Sequence, residues 1–91
     1  MGHRPVLLLS RNDAYDVRDL VIVSPVTTRL RNIPAEVPLG PEDGLPRPSV
    51  VNLDTIDTIP RDALQSRITA LTPEKVRAVN DALRFALGLD E

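Results

Sequence analysis

The sequence predicts a small, mainly antiparallel β domain of barrel type with one helix packed against it at the C-terminal end. Three features point there. Short apolar or β-branched runs recur along the first two thirds of the chain, as in Val6-Leu7-Leu8-Leu9 and Leu20-Val21-Ile22-Val23, the pattern of strands with a buried face. Proline and glycine break these runs at short intervals, with nine prolines among 91 residues, so the connections are turns and loops rather than crossover helices. Only after Thr72 do apolar residues recur at helical spacing.

Pro5 to Ser10 is a continuous apolar run closed by Arg-Asn-Asp, which predicts a buried strand. Residues 11–18 are polar and turn-like, with Tyr15 as their one anchor. Leu20 to Thr27 is the strongest strand signal, but Pro25 cannot donate to a ladder, so an edge or a bulge is expected at its end. Ala35 to Leu39 predicts a short strand, and Gly40 to Pro48 a long loop. Ser49 to Leu53 predicts another strand, Asp54 to Ile59 a single helical turn closed by Pro60, and Arg67 to Ala70 a final strand. The helix is delimited by chemistry. Thr72 suits the N-cap, Pro73 the first helical position, Glu74 the positive end of the dipole, and Gly88 the stop. Val76, Val79, Leu83, Ala86 and Leu87 are expected to form its apolar face, with Lys75, Arg77, Asp81 and Arg84 outward.

A chain of this length makes one domain, here residues 1–91, with a modest core. The net charge of −2 predicts neither a nucleic-acid binder nor a membrane binder by itself, but its distribution is uneven. Residues 1–34 hold Arg4, Arg11, Arg18, Arg29 and Arg31 against three aspartates, whereas residues 35–74 are acidic. Every basic residue except Lys75 is arginine, the side chain suited to forked contacts with phosphate or carboxylate. The absence of cysteine excludes a disulfide scaffold and thiol chemistry and fits a reducing cytoplasm. No signal peptide is visible, and no apolar run approaches the ~20 residues of a membrane-spanning helix.

Most catalytic constellations fail on composition. The single histidine, His3, and the lack of a G-x-S-x-G elbow leave no nucleophilic triad, and four scattered glycines make no phosphate loop. Asp54, Asp57 and Asp62 read as caps and a solvated acidic face rather than Mg²⁺ ligands. No metal or cofactor is expected. What remains is Gly2-His3-Arg4-Pro5 ahead of one strand and Pro25-Val26-Thr27-Thr28-Arg29 at the end of the next.

Taken in order, GHRPVLLLS, VIVSPVTTRLRNIPAEVPL, RPSVVNLDTIDTIPRDAL and RITALTPEKVRAVNDALRFALGL resemble the MazF/PemK/Kid toxin family, the ribosome-independent endoribonucleases of bacterial toxin–antitoxin pairs. The resemblance covers nearly the whole chain. It implies an SH3-like barrel of the CcdB/PemK type with a C-terminal helix, a cytoplasmic homodimer, and a cognate MazE-like antitoxin whose disordered segment blocks the RNA groove. The family's catalytic arginine in G-x-R-P falls on Arg4, and its catalytic threonine, first of the pair in P-x-T-T, falls on Thr27. His3, Thr28, Arg29 and Arg31 are the expected RNA-binding residues. The implied reaction is metal-independent cleavage of single-stranded RNA to a 2′,3′-cyclic phosphate and a 5′-hydroxyl. Family members usually begin with an R-G-E-[IV]-W strand and a glycine-rich loop carrying an acid. This sequence begins at G-x-R-P, so the resemblance leads one to expect a weakened enzyme. The competing expectation is a non-catalytic binder: a degenerate toxin that titrates antitoxin, or a gyrase poison of the same fold.

Overall fold

The computed structural model describes residues 4–9 and 19–89. His3, Ser10 and the polar stretch around Tyr15 lie outside the described residues. The strands are β1 (Val6–Leu8), β2 (Leu20–Thr27), β3 (Glu36–Leu39), β4 (Ser49–Asn52) and β5 (Asp57–Pro60), followed by helix α1 (Pro73–Leu87). They form one five-stranded antiparallel sheet in the order β1-β2-β4-β3, with β5 also on β2. The expected mainly β fold with a C-terminal helix is what forms.

Strand β2 organises the sheet because its two halves have different partners. Leu20 to Val23 pair with Pro60 to Asp57 of β5, and Val26 and Thr27 pair with Val51 and Val50 of β4. Along its other edge, Val23, Ser24 and Pro25 pair with Leu8, Leu7 and Val6 of β1. The Leu9 N–H donates to the Ile22 carbonyl at 2.8 Å and the Val26 N–H to the Pro5 carbonyl at 3.1 Å. Even-numbered residues of β2 therefore bond toward β1, and odd-numbered ones toward β5 and β4. Pro25 falls at the gap between those two ladders, where a missing N–H orphans no acceptor. The strand thus runs from Leu20 through Pro25 to a paired Thr27, as its sequence predicts, and the two ladders part at the proline where an edge or bulge is expected. The buried Ser24 closes the gap by donating its hydroxyl to the Thr55 carbonyl at 2.8 Å.

Two expectations give way. Asp57 to Pro60 form strand β5, not a helical turn, because the first half of β2 needs a partner and Thr58 and Ile59 suit one. Arg61 N–H donates to the Asp19 carbonyl at 2.7 Å, which turns the position of the Pro60 nitrogen to the outer edge, where proline is tolerated. The helical turn comes later, as a 3₁₀ turn over Arg61–Ala63. Arg67 to Ala70 form no strand; they pass outside the sheet with Ile68 exposed. Thr69 instead covers Gly44, whose φ of +93° and lack of room for a Cβ, 2.9 Å from the Thr69 Cβ, both require glycine.

The core joins Val26, Val37, Leu39, Leu45, Val51 and Leu53 to Val79 and Ala82 of α1. The helix is capped as its sequence demands: the Thr72 hydroxyl accepts from Lys75 N–H at 3.2 Å, and Gly88 takes φ 67°. Its buried stripe differs from the expected one. Ala78, Val79, Ala82 and Leu83 pack inward, while Val76 and Leu87 are 44% and 56% exposed. Lys75, expected outward, turns inward: its Nζ donates to the Pro38 carbonyl at 2.6 Å and lies 3.7 Å from Oδ2 of the buried Asp43. That clamp ties the first turn of α1 to the edge strand β3, and the alanines permit the close approach.

Candidate active site

The G-x-R-P and P-x-T-T segments meet because β1 and β2 are antiparallel neighbours. Val6 lies opposite Pro25, and the Val26 to Pro5 hydrogen bond carries the register one residue further. The next pair is Arg4 with Thr27. It falls at a non-hydrogen-bonded position, where opposite Cα atoms approach to about 4.5 Å and side chains share a face. Arg4 is exposed and makes no ion pair with any described residue. Thr27 is half-buried, and its hydroxyl oxygen accepts from the Arg29 N–H at 3.1 Å. That bond fixes the side chain and leaves the hydroxyl proton free to donate. A forked cation and an oriented hydroxyl therefore stand together at the open end of two strands, next to the exposed Thr28 and Arg29.

Arg31 is placed differently. Its N–H and its Nε–H both donate to Glu36, at 2.9 and 3.1 Å, and the Glu36 side chain is only 3% exposed. The Arg31 backbone N–H holds the Glu36 carboxyl below its usual pKa, aided by the Arg31 guanidinium and the Asn32 N–H and opposed by burial. Arg31 thus serves first to fold the loop and only secondly to offer charge outward. His3 lies outside the described residues; the structure brings Arg4 opposite Thr27, with Thr28 and Arg29 following Thr27 directly, and draws Arg31 to Glu36 instead. No group of three or more His, Cys, Asp or Glu able to hold a metal ion is gathered among the described residues.

The chain as a whole is similar to known proteins. The family model described as the PemK-like, MazF-like toxin of type II toxin–antitoxin systems matches residues 1–87. The chain belongs to that family. Among curated relatives, the probable endoribonuclease MazF5 of Mycobacterium tuberculosis is 38% identical over 88 residues, covering 96% of this chain and 81% of the relative. Among solved structures, the Mycobacterium tuberculosis toxin MazF-mt6 superposes with a TM-score of 0.92 at 38% identity, covering 97% of this chain and 89% of that one. A mycobacterial endoribonuclease in complex with its cognate antitoxin superposes with a TM-score of 0.86 at 36% identity, covering 97% and 84%.

Within this MazF-like frame, sequence inspection missed Glu36 and Asn32. Glu36 reads as an ordinary polar position of a short strand, and nothing local announces that its carboxylate is covered. Asn32 did carry a signal: asparagine tolerates the left-handed region, and Asn-Ile-Pro between strands marks a turn. Among the described residues no helix is long and apolar enough to cross a membrane.

Proposed function

We propose that this MazF-type toxin cleaves single-stranded RNA through Arg4 and Thr27. The observation that carries the proposal is their juxtaposition across the β1–β2 ladder. The RNA supplies its own nucleophile. Its 2′-oxygen attacks the adjacent phosphorus as it loses its proton, the bond from phosphorus to the 5′-oxygen breaks, and that oxygen takes up a proton. The products are a 2′,3′-cyclic phosphate and a 5′-hydroxyl. The protein must hold the backbone in line and stabilise charge on the phosphorane oxygens. The Arg4 fork suits that charge, and the Thr27 hydroxyl donates one oriented hydrogen bond. Arg4 is a poor proton donor, so its role is clamping. Thr28, Arg29 and Arg31, with His3 ahead of Arg4, provide contacts to the RNA backbone.

The relatives' names support this reading, since those proteins are called endoribonucleases and one is solved with its cognate antitoxin. We extend it to a MazE-like antitoxin as the partner of this chain, a homodimer as its working form, and the cytoplasm as its compartment. The test is incubation of the purified chain with a long single-stranded RNA in EDTA, followed by mapping of the ends. Cyclic phosphate and 5′-hydroxyl ends are expected. Products with 3′-hydroxyl ends, or cleavage abolished by EDTA, overturn the mechanism. No cleavage at all favours the non-catalytic binder.

A further inference from the structure

We infer that Asn32 is a specificity-determining residue of this site, reading the edge of one RNA base through its carboxamide; the inference rests on the RNA-cleavage function proposed above. Among the described residues, Asn32 is the only non-glycine with positive φ, at 55°. Asparagine usually tolerates that backbone because its short side chain hydrogen-bonds locally. Here that local explanation is absent, since the carboxamide has no hydrogen-bond partner among the described residues and the side chain is exposed. What holds the backbone is Glu36. Its covered carboxylate accepts from the Arg31 N–H at 2.9 Å and the Arg31 Nε–H at 3.1 Å. On the other side, the Glu36 N–H donates to the Ile33 carbonyl at 3.0 Å and Pro34 follows. The loop is therefore pinned before and after Asn32, and its one free amide group projects from a fixed backbone.

Rigid backbone and free amide together suit recognition. The loop leaves the sheet directly after Thr27 and carries Thr28 and Arg29, so in this proposal the RNA strand held at Arg4 and Thr27 continues along it. The neighbouring cations suit phosphate, which carries no sequence information. A carboxamide offers one acceptor and two donors. It matches a base edge with adjacent donor and acceptor groups, which adenine presents on both its Watson–Crick and its Hoogsteen edges. The structure thus assigns Asn32 to an adenine near the cleaved bond.

The decisive variants are Asn32→Gly and Asn32→Asp, because both residues tolerate a φ of 55° and keep the loop shape while changing the reader. Wild-type and variant proteins are incubated with a randomised single-stranded RNA pool in EDTA, and the new 5′ ends are sequenced. Melting temperatures are expected to stay close to wild type. At one position the preference for adenine is expected to fall by about 5- to 100-fold in Asn32→Gly. Asn32→Asp, which only accepts, is expected to shift that position away from bases needing a donor. Cleavage with an unchanged sequence profile in Asn32→Gly overturns the assignment of Asn32 and leaves the cleavage function standing. Loss of cleavage by the wild-type chain overturns both.

Discussion

Two covered carboxylates, Glu36 and Asp43, each face one cation, yet they organise different things. Glu36 reaches back five residues to Arg31 and gathers the loop that follows Thr27. Asp43 accepts from the Gly40 N–H at 3.0 Å and faces Lys75, on a helix far along the chain. The first is a local knot in the loop that follows Thr27, at the start of β3, and the second is a tertiary strap near the end of β3. By contrast the exposed Asp81–Arg84 pair on α1 contributes little, as solvated ion pairs do. Covering the acid is what makes each node matter. A carboxylate removed from water must keep its donors, so whatever carries those donors is held in place. The local node should therefore govern catalysis and selectivity, and the distant one stability.

The largest effect sets the scale for that comparison. Arg4→Ala and Thr27→Ala should each lower RNA cleavage by roughly 10²–10³-fold with little change in melting temperature, because both side chains sit at strand ends outside the core. Single-turnover rates alongside thermal melts check this, and near-wild-type rates in either variant would reject the assignment.

Breaking the strap comes next. Lys75→Met leaves Asp43 covered without its cation and the Pro38 carbonyl without its donor. It should cost about 1–3 kcal/mol of stability, while the cleavage rate of the folded protein stays unchanged. Urea melts and rates measured well below the transition separate the two. A large rate loss at full folding would erase the division between the nodes.

Glu36→Gln tests the knot from the other direction. The amide keeps the shape but loses the charge that holds Arg31, and it should cost about 1–2 kcal/mol. Its mark is a rate loss exceeding that of Lys75→Met despite the smaller stability change. The pH dependence follows from the lowered pKa of Glu36. The folded value lies below the unfolded one, so the contribution is fully present above the ordinary value of 4.5. It is lost as pH falls through the folded value. The stability gap between wild type and Glu36→Gln should thus be constant above that pH and close on acidification. A gap that widens in acid contradicts the knot.

The smallest expected effect is at the cap of α1. Thr72→Ala removes the acceptor for Lys75 N–H and should cost about 1 kcal/mol, with unchanged cleavage. Comparing it with Lys75→Met separates the cap from the strap, since only the latter releases Asp43.

The sequence alone determined the helix and the motif pair. Thr72, Pro73 and Gly88 act through bonds within a few residues, and local chemistry fixes such boundaries wherever the helix docks. The runs at Leu20–Thr27 and Ser49–Leu53 likewise read correctly because β-branched residues favour extended backbone on either face. Tertiary structure decided the rest. Asp57 to Pro60 became a strand because the first half of β2 offered an edge. Pro25 stayed inside a strand because two ladders part at that point, and Lys75 turned inward because Asp43 and the Pro38 carbonyl were waiting. Arg4 and Thr27, 23 positions apart in the chain, became neighbours only through the β1–β2 register, and register is set by pairing across strands rather than by either segment alone. The covered carboxylate of Glu36 was equally invisible, because burial belongs to the packed molecule and not to any stretch of its sequence.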